Sequence, residues 1–387
     1  MARRASPRPI PRPSPASIRR SRSPRVRPWR WIALVSVSAL ATLAVVAWIS
    51  TRPSLRDRAE AAERSADWPS ALNAYRDLLR SSTTPRARDR LGEARALLGL
   101  NLGRQAELAL IAASRLDPAD PEPWHLRLEF LRVERRSLEA VAVADQALAA
   151  VDDSKGRREI LRDLTLALLF LDSSIDDASE DRARAVLARW VAADPEDDEA
   201  RASLALRRVA DPRPGDPSRE VLISELSERL TRHPDHSAIR EALILALADD
   251  GHVDASRERL DAWPPSLQDA RYQRLRGRWC LEYDGKAAEA TAAFARTLEL
   301  FPHDWRSHYG LARALQKLDR KAESAGEVEA VARLRERLEP TRLAPRLARD
   351  LADLESPKAL QDLADLCAGV GLERLAQAWT KEAAQEH

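Results

Sequence analysis

The sequence predicts an all-α chain, a solenoid of helix–turn–helix repeats behind one apolar N-terminal helix. Three observations carry that expectation. Ala, Leu, Arg and Glu recur throughout the 387 residues, while Gly is held to 12 and aromatics to 5%, a composition of helix formers with little material for a sheet. Residues 31–51 contain no charged side chain. Small and apolar residues then return at a step of 34, as from Ala106 to Ala140 and from Ala290 to Ser324.

The apolar helix comes first in the chain. From Trp31 to Thr51 the sequence reads WIALVSVSALATLAVVAWIST, long enough at ~1.5 Å per residue to cross a hydrocarbon core ~30 Å thick. Trp29, Trp31 and Trp48 mark its ends, where amphipathic rings favour the headgroup level. Ten Arg and no acidic residue precede it. Cationic flanks resist translocation, so the N-terminus is expected in the cytoplasm and residues 52–387 across the membrane. A cleaved signal peptide with a small-residue site at Val45-Val46-Ala47 is the competing reading, although the apolar stretch exceeds the usual ~7–15 residues of such signals. Residues 1–30 also hold seven Pro among Arg and Ser. Missing backbone donors and Arg–Arg repulsion predict an extended, disordered tail that meets anionic headgroups.

Charge divides the chain. The formal net charge is +2, but residues beyond 30 hold 53 of the 63 basic residues against all 61 acidic ones. An acidic body argues against nucleic-acid binding by the repeats, which needs a basic face to neutralise phosphate. The composition is rich in Arg and poor in Lys (57 and 6), which suggests a GC-rich bacterial genome.

Prolines punctuate the body at Leu116-Asp117-Pro118, Ala193-Asp194-Pro195, Arg232-His233-Pro234 and Leu300-Phe301-Pro302. Each stops a helix, and neighbouring Asp or Ser can cap the next. Pro234 and Pro302 are 68 apart, twice 34. Behind the small residues come Leu110 and Ala113, Ala144 and Ala147, Phe294 and Thr297, and Val328 and Val331. Steps of four and seven place each set on one helix face, where a small residue lets a neighbouring helix approach.

This pattern resembles the tetratricopeptide repeat, a 34-residue hairpin with W…LG…Y in its first helix and A…F…A…P in its second. Trp124, Ala140, Ala144 and Ala147 match one unit; Leu311, Ala312, Leu315 and Leu318-Asp319 match the first helix of another; Leu363, Ala364, Cys367, Gly371, Ala376 and Ala383 fit a third. Registers extended outward predict about nine units over 52–387, beginning near 52, 87, 121, 155, 198, 237, 270, 305 and 357. Ser173–Ser179 and Asp211–Pro217 read as insertions, and Pro340–Ser356 falls outside the period. The resemblance implies a right-handed superhelix whose first helices line a concave face, with Leu372–Gln385 as a polar cap.

Chemistry finds no support. The seven His are scattered, and His233-Pro-Asp-His236 sits at a repeat boundary, where capping explains it better than zinc does. Acidic pairs such as Asp152-Asp153 and Asp249-Asp250 stand at helix starts or turns, where the helix dipole favours them. Cys280 and Cys367 lie in apolar helical segments and read as small core residues. No phosphate loop, nucleophile elbow or H-E-x-x-H occurs. A non-enzyme without cofactor or metal is expected.

What remains is a binding face. In the family, ligand contacts come from successive positions of the first helices. Carried over, these are Arg306, Tyr309, Arg313 and Lys317 in the unit starting at Trp305, and Tyr272, Arg276, Trp279 and Tyr283 in the unit before it, where an extra residue makes the register ambiguous. Basic groups beside aromatics suit an acidic or C-terminal peptide. The competing reading makes the rings interhelix core and the arginines a solvated face. The Asn residues of the chaperone-binding carboxylate clamp are missing, so that activity is not carried over. The expected role is a membrane-anchored adaptor holding protein or peptide partners outside the cytoplasm. The alternative is an accessory subunit that docks a catalytic partner.

Overall fold

The computed structural model describes residues 54–171 and 177–385, so the tail 1–30 and the apolar segment 31–51 lie outside the described residues. The chain divides into units 1–54 and 55–387. Nineteen helices and no strand occur among the described residues, all in the second unit, and none of these helices is long and apolar enough to cross a membrane. They are α1 Leu55–Arg64, α2 Trp68–Ser81, α3 Ala87–Gly99, α4 Gly103–Leu116, α5 Pro121–Val133, α6 Ser137–Ala150, α7 Ser154–Leu169, α8 Asp177–Ala193, α9 Asp198–Ala210 and α10 Arg219–Arg232. The chain continues with α11 Ser237–Asp249, α12 Val253–Asp261, α13 Ala270–Glu282, α14 Ala287–Leu300, α15 Trp305–Lys317, α16 Lys321–Arg337, α17 Pro340–Ala352, α18 Pro357–Gly369 and α19 Glu373–Ala384.

Two local devices make tetratricopeptide-like hairpins from these helices. Several helices begin behind an Asp that accepts a backbone N–H: Asp67 from Ser70, Asp120 from Glu122, Asp197 from Ala200 and Asp304 from Arg306. Each satisfies a donor that a helix start leaves orphaned. The turn into the second helix uses one left-handed residue, at Ala66, Asn101, Arg135, Gly251, Gly285, Asp319 or Gly371. The next N–H then reaches back to the last turn, as from Leu102 to Leu97 O (2.9 Å) and from Arg136 to Leu131 O (2.9 Å), the bond that closes a helix C-terminus. The long loop between α9 and α10 carries its left-handed residue, Gly215, in mid-loop.

Within a hairpin, small residues set the helix spacing. The Phe294 ring of α14 occupies the space a Cβ would need at Gly277 of α13 (2.8 Å) and at Gly310 of α15 (2.4 Å). One aromatic thereby packs against two first helices, which only glycine permits at that separation.

The array is not one continuous superhelix. α7 packs on α5, α6 and α19, whereas α8 leaves it and packs on α9. Trp190 of α8 stacks on Phe130 of α5 (ring centroids 4.7 Å apart) and covers Gly103 at the start of α4. At the other end the chain returns. Residues from Trp124 to Leu169 share one core with residues from Leu334 to Ala383. Helices α1–α7 and α17–α19 therefore form one layer, and α8–α16 are an arc inserted into it. Helix α19 is no polar cap. Its Trp379 is fully buried and donates to Thr165 Oγ1 (3.0 Å), and its buried Glu382 accepts from Arg157 (2.7 Å). α17, the stretch that escaped the period, adds Leu343 and Leu347 to the same core.

Candidate protein-binding groove

Both ends of the arc rest on the first layer. Ser203 and Arg207 of α9 donate to the carbonyls of Glu134 (2.7 Å) and Val133 (3.0 Å) at the end of α5. Before α15, His303 Nε2 lies 2.6 Å from Leu168 O of α7. The faces of α9, α11, α13 and α15 thus surround a cavity of about 440 Å³, walled by Glu134, Arg135, Leu138 and Leu171 of the first layer and floored by Phe294 and Phe301. That volume lies in the range of ligand-sized clefts.

Equivalent positions recur along the wall. Arg306, Tyr309 and Arg313 of α15 correspond to Arg271, Arg274 and Arg278 of α13 and to Ala238, Glu241 and Leu245 of α11, and all nine line the cavity. Five arginines therefore face inward from α13 and α15, with Glu282 as the acidic lining residue of those two helices. Tyr309 is 52% exposed among them, and the Arg313 guanidinium lies 5.8 Å from its ring centroid. Arg306 stacks over Trp305 at 4.7 Å. An acidic chain with apolar side chains suits such a wall, because guanidinium donors take carboxylates in charge-assisted pairs.

The corresponding face of the first layer is closed on itself. Arg56 of α1 pairs with Asp89 of α3 (2.7 Å). Arg95 of α3 lies between Glu63 (3.1 Å) and Glu122. His125 of α5 meets Asp163 of α7, which also holds Arg162 (3.1 Å). Donating to the Asp163 carboxylate raises the His125 pKa. Successive first helices there cancel each other's charge, whereas the cavity of the arc is lined by six arginines against four carboxylates.

Of the residues expected to bind, Arg306, Tyr309 and Arg313 share the cavity wall and Lys317 does not: its Nζ donates to Leu281 O (2.9 Å) and closes the end of α13. The four expected on α13 are misplaced. Trp279 is 0% exposed, and Tyr283 packs on it at 4.7 Å. Tyr272 packs on Trp263 at 5.6 Å, and Arg276 pairs with Asp261 (3.2 Å) and Glu289 (2.9 Å). α15 starts 35 residues after α13 rather than 34, and one residue turns a helix face by about 100°. The family step thus selected a face turned away from the cavity wall, and Arg271, Arg274 and Arg278 stand on that wall instead. Their spacing of three and four, already an Arg stripe in the sequence, was the available signal.

Among the described residues no group of His, Cys, Asp and Glu could hold a metal ion. Cys280 and Cys367 are both buried and unbridged, and burial pushes the Cys367 thiol up to about 12. Such a thiol is far from the thiolate that nucleophilic chemistry needs.

No family model matches the sequence. No curated protein resembles it at a significant level. Among solved structures, a monomeric mutant of IFIT1 with Gppp-AAAA aligns at 14% identity over 83% of this chain and 68% of that one, with a TM-score of 0.32. Yeast Tom70 aligns at 11% identity over 86% and 75%, with a TM-score of 0.30. The APC/C hetero-tetramer Cut9–Hcn1 aligns at 12% identity over 89% and 81%, with a TM-score of 0.27. Scores this low lie below those of chains sharing one global fold, so the ligands and partners in those names have no bearing on this chain.

Proposed function

We propose that the protein is a non-enzymatic, membrane-anchored adaptor that holds an acidic segment of a partner protein in the α9–α15 cavity. The observation behind this is the asymmetry between the two faces. The first layer pairs its charges helix by helix, while six arginines, Tyr309 and only four carboxylates line the cavity of the arc, where Glu241 pairs with Arg274 and Glu282 with Arg278 and Arg313. On an otherwise acidic body, that contrast favours a negatively charged occupant.

The anchor belongs to the same reading and rests on sequence. Residues 31–51 tether the chain in a bacterial inner membrane, the Arg-rich tail stays in the cytoplasm, and the repeats work outside it. Envelope biogenesis, secretion and cytochrome-maturation assemblies are the settings in which single-span repeat proteins of this kind occur. The rival role, an accessory subunit for one catalytic partner, differs in what copurifies: one stoichiometric protein instead of varied clients at low occupancy.

The test is crosslinking and mass spectrometry in the native organism, with the wild-type chain and with Tyr309→Ala/Arg313→Glu. Partners crosslinked at the arc should vanish in the double variant while circular dichroism stays unchanged. An unaltered partner profile from a folded variant rejects the groove.

A further inference from the structure

We propose that Glu134 is a proton-operated seat for the arc: its carboxyl is neutral while α9 rests on α5, and its ionisation favours the parted joint, so the cavity is closed in acid and loosens as pH rises. The seat belongs to the joint and not to the occupant, so it does not depend on what the cavity holds. Glu134 caps the end of α5, and its carbonyl accepts Ser203 Oγ of α9 (2.7 Å), one of the bonds that hold the arc. Its side chain is 0% exposed. Oε2 accepts from Arg136 Nη1 (2.8 Å), while Oε1 has no hydrogen-bond partner among the described residues. A carboxylate buried in this way is costly, because nothing replaces the hydration of its second oxygen. The negative end of the α5 dipole adds to the cost.

The surrounding charges do not offset it. Arg136, which bonds Glu134, also serves Glu107 of α4 (2.9 Å) and Glu139 of α6 (2.6 Å), so one guanidinium is divided among three carboxylates. Arg127 of α5 stands beside Glu107 (3.8 Å). Arg135 in the same turn and Arg207 of α9 both bond Glu180 of α8. Across the joint, Asp197 and Glu199 at the start of α9 face Glu134 with like charge, Glu199 lying 3.4 Å from His236 of the next hairpin. Burial first, and then Asp197 and Glu199 against the pull of Arg136, push the Glu134 carboxyl well above the usual carboxylate range.

When α9 lifts from α5, water reaches Oε1 and the two facing carboxylates withdraw. The carboxyl then returns towards its ordinary value near 4.5, so closing the joint takes up a proton. For an acid whose pKa is higher in the closed state, the advantage of closure is fully present below that ordinary value and is lost as pH rises through the closed-state one. One linked proton changes the closing equilibrium by about tenfold per pH unit within that window.

Hydrogen exchange on the full chain in neutral detergent tests this, read as protection factors so that the pH dependence of the exchange chemistry cancels. From about pH 5 to about pH 8, protection of α9 and of the end of α5 should fall in wild type relative to α18, which has no part in the joint. Glu134→Gln keeps the shape without the titrating proton. Its α9 protection should match wild type near the acid end and exceed it by about tenfold near the alkaline end. Asp197, also pushed up by burial, titrates in both proteins and drops out of that ratio. Glu196→Gln removes a neighbouring carboxylate that is 60% exposed and bonded to Arg229, and should keep the wild-type pH dependence. A ratio of Glu134→Gln to wild type that stays constant across the range overturns the seat. So does an equal gain in Glu196→Gln, which makes net charge the cause. If Glu134→Gln does not fold, wild type decides alone: α9 protection that holds level against α18 across the range rejects the proposal.

Discussion

Replacing Trp379 by Ala probes the least expected feature of the fold, the return of α19 to α7. Trp379 is 0% exposed. Truncating it removes about 200 Å² of buried surface, which at ~25 cal/mol per Å² sets a ceiling near 5 kcal/mol, and extended-chain accounting overstates that figure. Large-to-small changes at buried Trp cost about 3–5 kcal/mol. The indole hydrogen bond to Thr165 Oγ1 (3.0 Å) is lost as well, but that hydroxyl keeps its own bond to Leu161 O (2.7 Å) and is not orphaned. A loss of about 4 kcal/mol is therefore expected for Trp379→Ala, and about 1–2 kcal/mol for Trp379→Phe, which retains a ring in the site.

The informative assay is hydrogen exchange. In the observed fold, Trp379→Ala should speed exchange in α7 (Ser154–Leu169) together with α18 and α19, although 214 residues separate Thr165 from Trp379. In a simple linear array, loosening would stay at the C-terminal end. A variant destabilised by less than ~1 kcal/mol, or one whose α7 protection is unchanged while α19 opens, would refute the fold-back.

Glu180 of α8 is 9% exposed and bonds Arg135 (3.2 Å), Arg184 (3.2 Å) and Arg207; Glu180→Ala removes the carboxylate these three share, although Arg184 keeps Asp216 (3.2 Å), and should cost about 3 kcal/mol in urea denaturation. Gly310→Ala forces a Cβ against the Phe294 ring and should cost about 1–3 kcal/mol, with Phe294→Leu partly relieving it in the double variant. For His125, bonding to Asp163 raises the folded pKa above its usual 6.5. The contribution is therefore fully present below that value and lost as pH rises through the folded pKa. Urea midpoints of wild type should fall from about pH 6.5 to 8.5 by an amount worth about 1 kcal/mol or less, and His125→Gln should flatten that part of the profile; parallel curves would exclude the pair as the cause.

Helix existence and hairpin punctuation were legible because their causes are local. Asp304 before Trp305 caps α15 through its own side chain, and Asn101 or Gly251 turns the chain through its own φ. The stripe of small residues at Ala106, Ala140 and Ala290 was legible too, since each is fully buried against a helix close in sequence. The α13 wall was harder. There the face presented to the cavity depends on a single added residue, and a step of 34 applied to a step of 35 points to Trp279, which belongs to the core.

By itself, the sequence determined that this chain is helical, that its helices pair in hairpins, and that an uncharged segment at 31–51 precedes them. Each of these depends on propensity, periodicity or charge within a few dozen residues. Only the tertiary structure decided that α8 leaves α7, that α19 takes a place on α7 instead, and that the arc between them closes on a cavity of arginines. The physical reason is that Ala- and Leu-rich faces of different repeats are nearly interchangeable as partners. Periodicity says that each face must be buried, while the choice among neighbours is made by particular long-range contacts, such as Trp379 with Thr165 and Trp190 with Phe130. Those contacts join residues that no local pattern relates.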